Sequence, residues 1–188
     1  GIVEGNTFNI QGSKSVYVQD ELGAKIRNNT VIIEATADTK MSTGIMDVQL
    51  RDEYSEAVEI TGNTFNVAPN YYTTAVYLRD MEGTSAAPVI IANNVVNMTS
   101  LSGSYCAVKF STAKVKNVNM AYNTFRMTGD NGGVTFALSK KFDAGYGEGI
   151  NVVNNIIQNK TSRYAVNLYN DDNLTKMTFQ NNVMSTAG

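Results

Sequence analysis

Ile60-Thr61-Gly62-Asn63-Thr64-Phe65-Asn66-Val67 decides the fold, because the chain rewrites this stretch along its whole length. In each copy an apolar residue stands three places before an Asn, and apolar residues follow that Asn at two and four places. The frame fits Val3/Asn6/Phe8/Ile10, Ile26/Asn29/Val31/Ile33, Ile91/Asn94/Val96/Met98 and Met120/Asn123/Phe125/Met127. It fits Val152/Asn155/Ile157 with Asn159 in the last place, and Phe179/Asn182/Met184 with Thr186 there. The anchoring Asn residues are 23, 34, 31, 29, 32 and 27 positions apart.

A second beat falls between these motifs. It reads Val16-Tyr-Val18-Gln-Asp20, Val48-Gln-Leu50-Arg-Asp52 and Val76-Tyr-Leu78-Arg-Asp80, then Val108-Lys-Phe110, Phe136-Ala-Leu138 and Val166-Asn-Leu168. Each alternates apolar and polar-facing positions, the period of a half-buried strand. Each Asn motif reads as two short strands around a corner. One turn of the repeat is then strand, loop, strand, Asn corner, strand, loop. No stretch sustains a 3.6-residue period. Units of about 23 to 34 residues with three short strands each predict a β-solenoid of about six to seven coils. Asn tolerates the left-handed backbone a tight corner needs, which is expected at the anchoring positions. Coils stack about 4.8 Å apart, so Asn6, Asn29, Asn63, Asn94, Asn123, Asn155 and Asn182 are expected to form a ladder of side-chain amides. Phe8, Val31, Phe65, Val96, Phe125, Ile157 and Met184 are expected to form an interior stack.

The segments "VEGNTFNI", "ITGNTFNV", "IANNVVNM" and "MAYNTFRM" resemble the Asn corners of right-handed parallel β-helix proteins of the pectate-lyase-like superfamily, and the likeness covers nearly the whole chain. The resemblance implies an all-β parallel β-helix with the Asn corner between the second and third strands and the "AVYLRD" beat as the first. It implies lyases, hydrolases, phage tailspikes, adhesins or inactive scaffolds as functional contexts, because fold alone does not select among them.

Composition narrows the partners. Fifteen basic residues against seventeen acidic ones argue against nucleic acid, whose binding needs a basic patch. Apolar runs are short, with none near the length of a membrane span. The chain has no histidine, which excludes His triads, His bases and His metal ligands, and a single cysteine, Cys106, which cannot form an intrachain disulfide. Residues 1–188 read as one repeat domain, an excerpt of a longer chain lacking its end caps, with a homotrimer or flanking domains covering the coil ends.

Function is expected on the loops beside the first strand, at 34–44, 68–74, 99–105, 128–133 and 140–149. Seven of the ten tyrosines gather there. Tyr72, Tyr105 and Tyr164 stand two to four places before that strand and are expected to line up along the axis. With Tyr77 and Arg79 they are candidate carbohydrate contacts, since amphipathic rings stack on sugar faces. Acids recur after the strand, at Asp20-Glu21, Asp52-Glu53 and Asp80. Asp52 and Asp80 are expected one coil apart, roughly 5 Å, within reach of glycosidase carboxylate spacings. Asp52, Asp80 and Glu53 are therefore catalytic candidates, and Asp52 with Asp80 a candidate calcium site, against the simpler reading that these acids cap loops and offset stacked charges. The resulting expectation is an extracellular or virion-surface domain that engages polysaccharide along its first-strand face. The alternatives are a non-catalytic shaft or adhesin of a phage tail fibre or surface protein, and a glycoside hydrolase or polysaccharide lyase working without histidine.

Overall fold

The computed structural model describes residues 1–10, 16–19, 23–34, 44–49, 58–68, 73–99, 105–129, 133–168 and 176–187, with the side chain of Tyr105 excepted. Among these residues every named element is a strand, and the strands form three all-parallel sheets of seven, seven and six. The six-stranded sheet holds the first strand of each coil: Val16–Gln19, Gly44–Gln49, Thr73–Arg79, Tyr105–Phe110, Gly133–Leu138 and Val166–Leu168. Second strands such as Glu59–Thr61 and Val89–Ala92 form one seven-stranded sheet, and third strands such as Thr64–Val67 and Val95–Thr99 form the other. Within each sheet every strand but the two at the ends pairs with its equivalent in the coil before and the coil after. That is the parallel β-solenoid expected from the repeat. Among the described residues no helix is long and apolar enough to cross a membrane.

The registers explain why the apolar pattern recurs. In the third-strand sheet Phe8, Val31, Phe65, Val96, Phe125, Ile157 and Met184 stand opposite one another in order. Val31, Phe65, Val96, Phe125 and Ile157 are fully buried. Large and β-branched side chains alternate through this row, so each ring fills the space its shorter neighbours leave. The first-strand sheet turns Val16, Met46, Val76, Val108, Phe136 and Val166 toward the same core. There Phe110 and Phe136 meet edge to face, with ring centroids 6.1 Å apart.

The Asn ladder runs unbroken along the corner. Each Nδ2 donates to Oδ1 of the next Asn, from Asn6 through Asn29, Asn63, Asn94, Asn123 and Asn155 to Asn182, at 2.9–3.1 Å. The same Oδ1 accepts the backbone N–H of the preceding ladder Asn, as when Asn63 N–H donates to Asn94 Oδ1 at 3.0 Å. A second Nδ2 proton reaches back to a strand carbonyl of the coil before, as from Asn94 to Ile60 at 2.7 Å. These buried amides are therefore satisfied, the condition for burying them without penalty.

The left-handed backbone is not on the ladder Asn, as the sequence suggested, but on the residue before it. Gly5, Asn28, Gly62, Asn93, Tyr122, Asn154 and Asn181 all have φ between 54° and 69°. The ladder Asn must aim its amide inward and its N–H along the axis, so the residue ahead of it carries the reversal. Six of these seven positions hold Gly or Asn, the residues that tolerate this region best. Tyr122, at φ 58°, is the exception. Replacing it with Asn is expected to raise stability by about 0.5–1 kcal/mol through relief of backbone strain, read as a higher urea midpoint at unchanged m-value.

Candidate functional site

The outer face of the first-strand sheet carries a row of aromatic and charged side chains. Register places Tyr17, Asp47, Tyr77 and Lys109 opposite one another on four successive coils. Alternation directs them outward, because Val16 and Val18, Met46 and Val48, Val76 and Leu78, and Val108 and Phe110 point into the core. Asp47 is only 2% exposed even so. Arg79, two residues beyond Tyr77 on the same strand, donates to Asp47 Oδ1 from Nε at 3.1 Å and from Nη2 at 2.9 Å. Burial lowers the Arg79 pKa, but the hydrogen bonds and charge of Asp47, together with those of Tyr17, outweigh it and leave the guanidinium above its ordinary value. The same guanidinium carbon lies 5.7 Å from the Tyr77 ring centroid, and Lys109 Nζ lies 5.8 Å from it. Both contacts fall within cation–π range. Tyr77 thus has two cations near its ring, and Arg79 is locked by a buried carboxylate.

Asp47 escaped the sequence reading for a definable reason. The sequence aligned Val48-Gln-Leu50-Arg-Asp52 with Val76-Tyr-Leu78-Arg-Asp80, whereas the sheet pairs Met46 with Val76 and Val48 with Leu78. The shift is two residues. A one-residue slip would exchange the faces, but a two-residue slip preserves the alternation and leaves no trace in it. The sheet therefore sets Gln49 opposite Arg79. Arg79 pairs with Asp47. Asp80 occupies a left-handed corner at φ 50° immediately after the strand. Its N–H donates to Thr112 Oγ1 at 2.7 Å, and its carboxylate lies 3.5 Å from Gln49 Nε2. Asp20, Glu21, Asp52, Glu53 and Tyr72 lie outside the described residues. Among the described residues no three Cys, Asp or Glu side chains converge as a metal site would require.

Tyr105 and Tyr164 do not share a column. Tyr105 pairs with Thr73 and Gly133. The Phe136–Val166 register, continued by Thr135 N–H donating to Tyr164 O, sets Tyr164 level with Val134 instead. Tyr164 sits at the entry to the last first strand, 64% exposed. The turn before it is built on Asn159, which takes the inward place of Met127 one coil earlier. Asn159 Nδ2 donates to Gly133 O and to Tyr164 O, both at 2.7 Å. Its Oδ1 accepts from Thr161 N–H at 2.7 Å and from Thr161 Oγ1 at 2.6 Å. Thr161 Oγ1 also accepts from Gly133 N–H and Arg163 N–H. The polar residue that breaks the apolar frame at Asn159 is thus the anchor of this turn.

Cys106 is buried, and burial pushes its thiol up to about 12, against the opposing charge of Lys109. The thiolate is the reactive form, so iodoacetamide at pH 8 is expected to leave Cys106 unmodified in the folded chain. Mass spectrometry should show one added carbamidomethyl group only after denaturation.

The structure thus gathers Tyr77 and Arg79 into one cluster with Tyr17, Asp47 and Lys109, and leaves Asp80 and Tyr164 at separate turns. No family model, curated protein or solved structure matches this chain.

Proposed function

We propose that this solenoid is an extracellular or virion-surface module that holds a polysaccharide along its first-strand face. The observation that carries the reading is the outward row Tyr17–Asp47–Tyr77–Lys109 with Arg79 fixed across it. The row repeats at the coil spacing of about 4.8 Å, so its donors lie along a line, as a chain of sugar units would. Lys109 pairs with no carboxylate among the described residues and keeps its donors for a ligand. A locked side chain loses little entropy on binding, which is the advantage of preorganisation. The corner motifs support kinship with the pectate-lyase-like superfamily, whose tailspike and polysaccharide-active members supply the nearest precedent.

A second reading, a non-catalytic shaft or adhesin, is favoured by the exposed apolar side chains of Ile2, Tyr122, Ile156, Val183 and Met184, which suit cover by flanking domains or by two further copies in a trimer. Affinity electrophoresis separates the two. In native gels cast with dextran, xylan, galactomannan, polygalacturonate or alginate, the chain is expected to be retarded by at least one polymer. Equal mobility in all five would leave the shaft reading standing. Release of reducing ends, or absorbance from an unsaturated sugar, would add hydrolase or lyase activity to the binding reading.

A further inference from the structure

We infer that one acidic sugar unit seats over Ala137, framed by Lys109, Ser111 and Ser139; this rests on the polysaccharide reading above. The four residues are neighbours on the outer face of the first-strand sheet. Lys109 stands opposite Ala137 on the next coil. Ser111 and Ser139 come directly after the same two strands, and the ladder continues through them. Ser111 N–H donates to Leu78 O and Ser139 N–H to Phe110 O, both at 3.0 Å. Alternation turns all four outward, because Val108, Phe110, Phe136 and Leu138 point into the core. The coil spacing and a two-residue step along the strand make the patch roughly 5 Å by 7 Å, the scale of one pyranose ring. Paired strands flank it on both sides, Thr73–Arg79 and Val166–Leu168, and it continues the outward column of Asp47 and Tyr77.

The chemistry of the frame selects the ligand. Ala137 carries only a methyl where Tyr77, Lys109 and Asn167 carry long side chains in the same column, so the face dips there. Both serine hydroxyls spend their protons on the strand below: Ser111 Oγ donates to Leu78 O at 3.4 Å and Ser139 Oγ to Phe110 O at 3.0 Å. What they offer a ligand is lone pairs, which accept from sugar hydroxyls. Lys109 offers the opposite, three donors and a charge. It pairs with no carboxylate among the described residues, and the Tyr77 ring beside it supplies no oxygen acceptor. An anionic group on the sugar satisfies both the donors and the charge, in the stronger class of hydrogen bond. Arg79 is already neutralised by Asp47, and Asp80 turns its carboxylate toward Gln49 on the coil before. The chain is polarised in the same sense: residues 1–82 hold six basic and twelve acidic side chains, residues 83–188 nine and five. The coils that carry Lys109 and Ala137 therefore lie in the half that attracts anions. The class of ligand is an acidic polysaccharide, each unit offering hydroxyl donors beside an anionic group.

The test runs the same gels, with dissociation constants taken from mobility against polymer concentration. Retardation is expected from polygalacturonate or alginate and not from dextran or galactomannan. Lys109→Gln removes the charge and Ala137→Gln fills the dip; each is expected to weaken binding by about tenfold or more. Lys160→Gln removes the same charge from an exposed position outside the patch and should stay within about threefold of the parent chain. Long side chains occupy the Ala137 column on other coils, so Ala137→Gln should fold, and circular dichroism checks all three variants. If Ala137→Gln misfolds, Lys109→Gln alone decides. Binding confined to dextran, xylan or galactomannan overturns this inference and leaves the polysaccharide reading standing. So does acidic-polymer binding that survives either folded patch variant, or that falls equally for Lys160→Gln. No retardation of the parent chain by any polymer overturns both.

Discussion

Asn94→Asp is expected to destabilise the solenoid by about 4 kcal/mol or more at neutral pH. The Asn94 side chain makes four hydrogen bonds: Oδ1 accepts from Asn63 N–H and Asn63 Nδ2, and Nδ2 donates to Ile60 O and to Asn123 Oδ1. A carboxylate keeps the two acceptor contacts. It turns the other two into oxygen facing oxygen, and it carries a charge into a corner that water does not reach. Desolvation favours the neutral acid in the folded chain, so the introduced carboxyl has a raised folded pKa. A group of that kind contributes most below its unfolded pKa, and its contribution is lost as pH rises through the folded value. The deficit should therefore shrink on acidification, relative to the parent chain at the same pH. Urea melts at neutral and acid pH measure this. A deficit that does not change with pH would mean that the loss lies in packing rather than in buried charge. Asn97→Ala is the control. Asn97 donates to Asn66 on the exposed side, and its loss should cost less than about 1 kcal/mol.

Phe125→Ala is expected to cost about 3–5 kcal/mol, in the range for removing a buried ring. Phe125 is 1% exposed and stands between Val96 and Ile157 in the interior row. Each coil is held in place by those above and below through parallel ladders, so a cavity cannot close by sliding one coil. The neighbours on either side are β-branched and stiff at χ1, which limits collapse into the space. Because a solenoid is stabilised by nearest-neighbour contacts, the damage should be local first. Hydrogen exchange is expected to show lost protection in the strands at Thr64–Val67, Val95–Thr99, Thr124–Thr128 and Ile156–Asn159 before others. Uniform loss of protection across all coils would instead show that the chain melts as one cooperative unit.

The Asn corner and the interior row were legible in the linear chain because each position in them answers to one requirement. An inward place must be apolar, and the ladder place needs a side chain with both an acceptor and two donors. Few residue types meet either condition, so the pattern survives in the letters. The outer face obeys no such rule. Asp47 reads as an ordinary polar residue beside Val48, and nothing in its neighbourhood signals that it lies beneath Arg79, 32 positions away. Tyr122 likewise looks like any exposed aromatic until its φ of 58° is known.

The sequence by itself determined the parallel coil, the corner and the row of core side chains, since hydrophobic alternation and amide chemistry are local properties that repetition makes visible. Only the tertiary structure decided the register of the first-strand sheet. Loops of unequal length stand between its strands, and a shift of two residues leaves every apolar side chain on the correct face. That register brings Asp47 rather than Asp80 to Arg79, and it sets Tyr105 and Tyr164 in different columns. The stretch at Ile60–Val67 therefore specifies how the chain coils, while the surface available to a ligand depends on contacts between coils that no single stretch encodes.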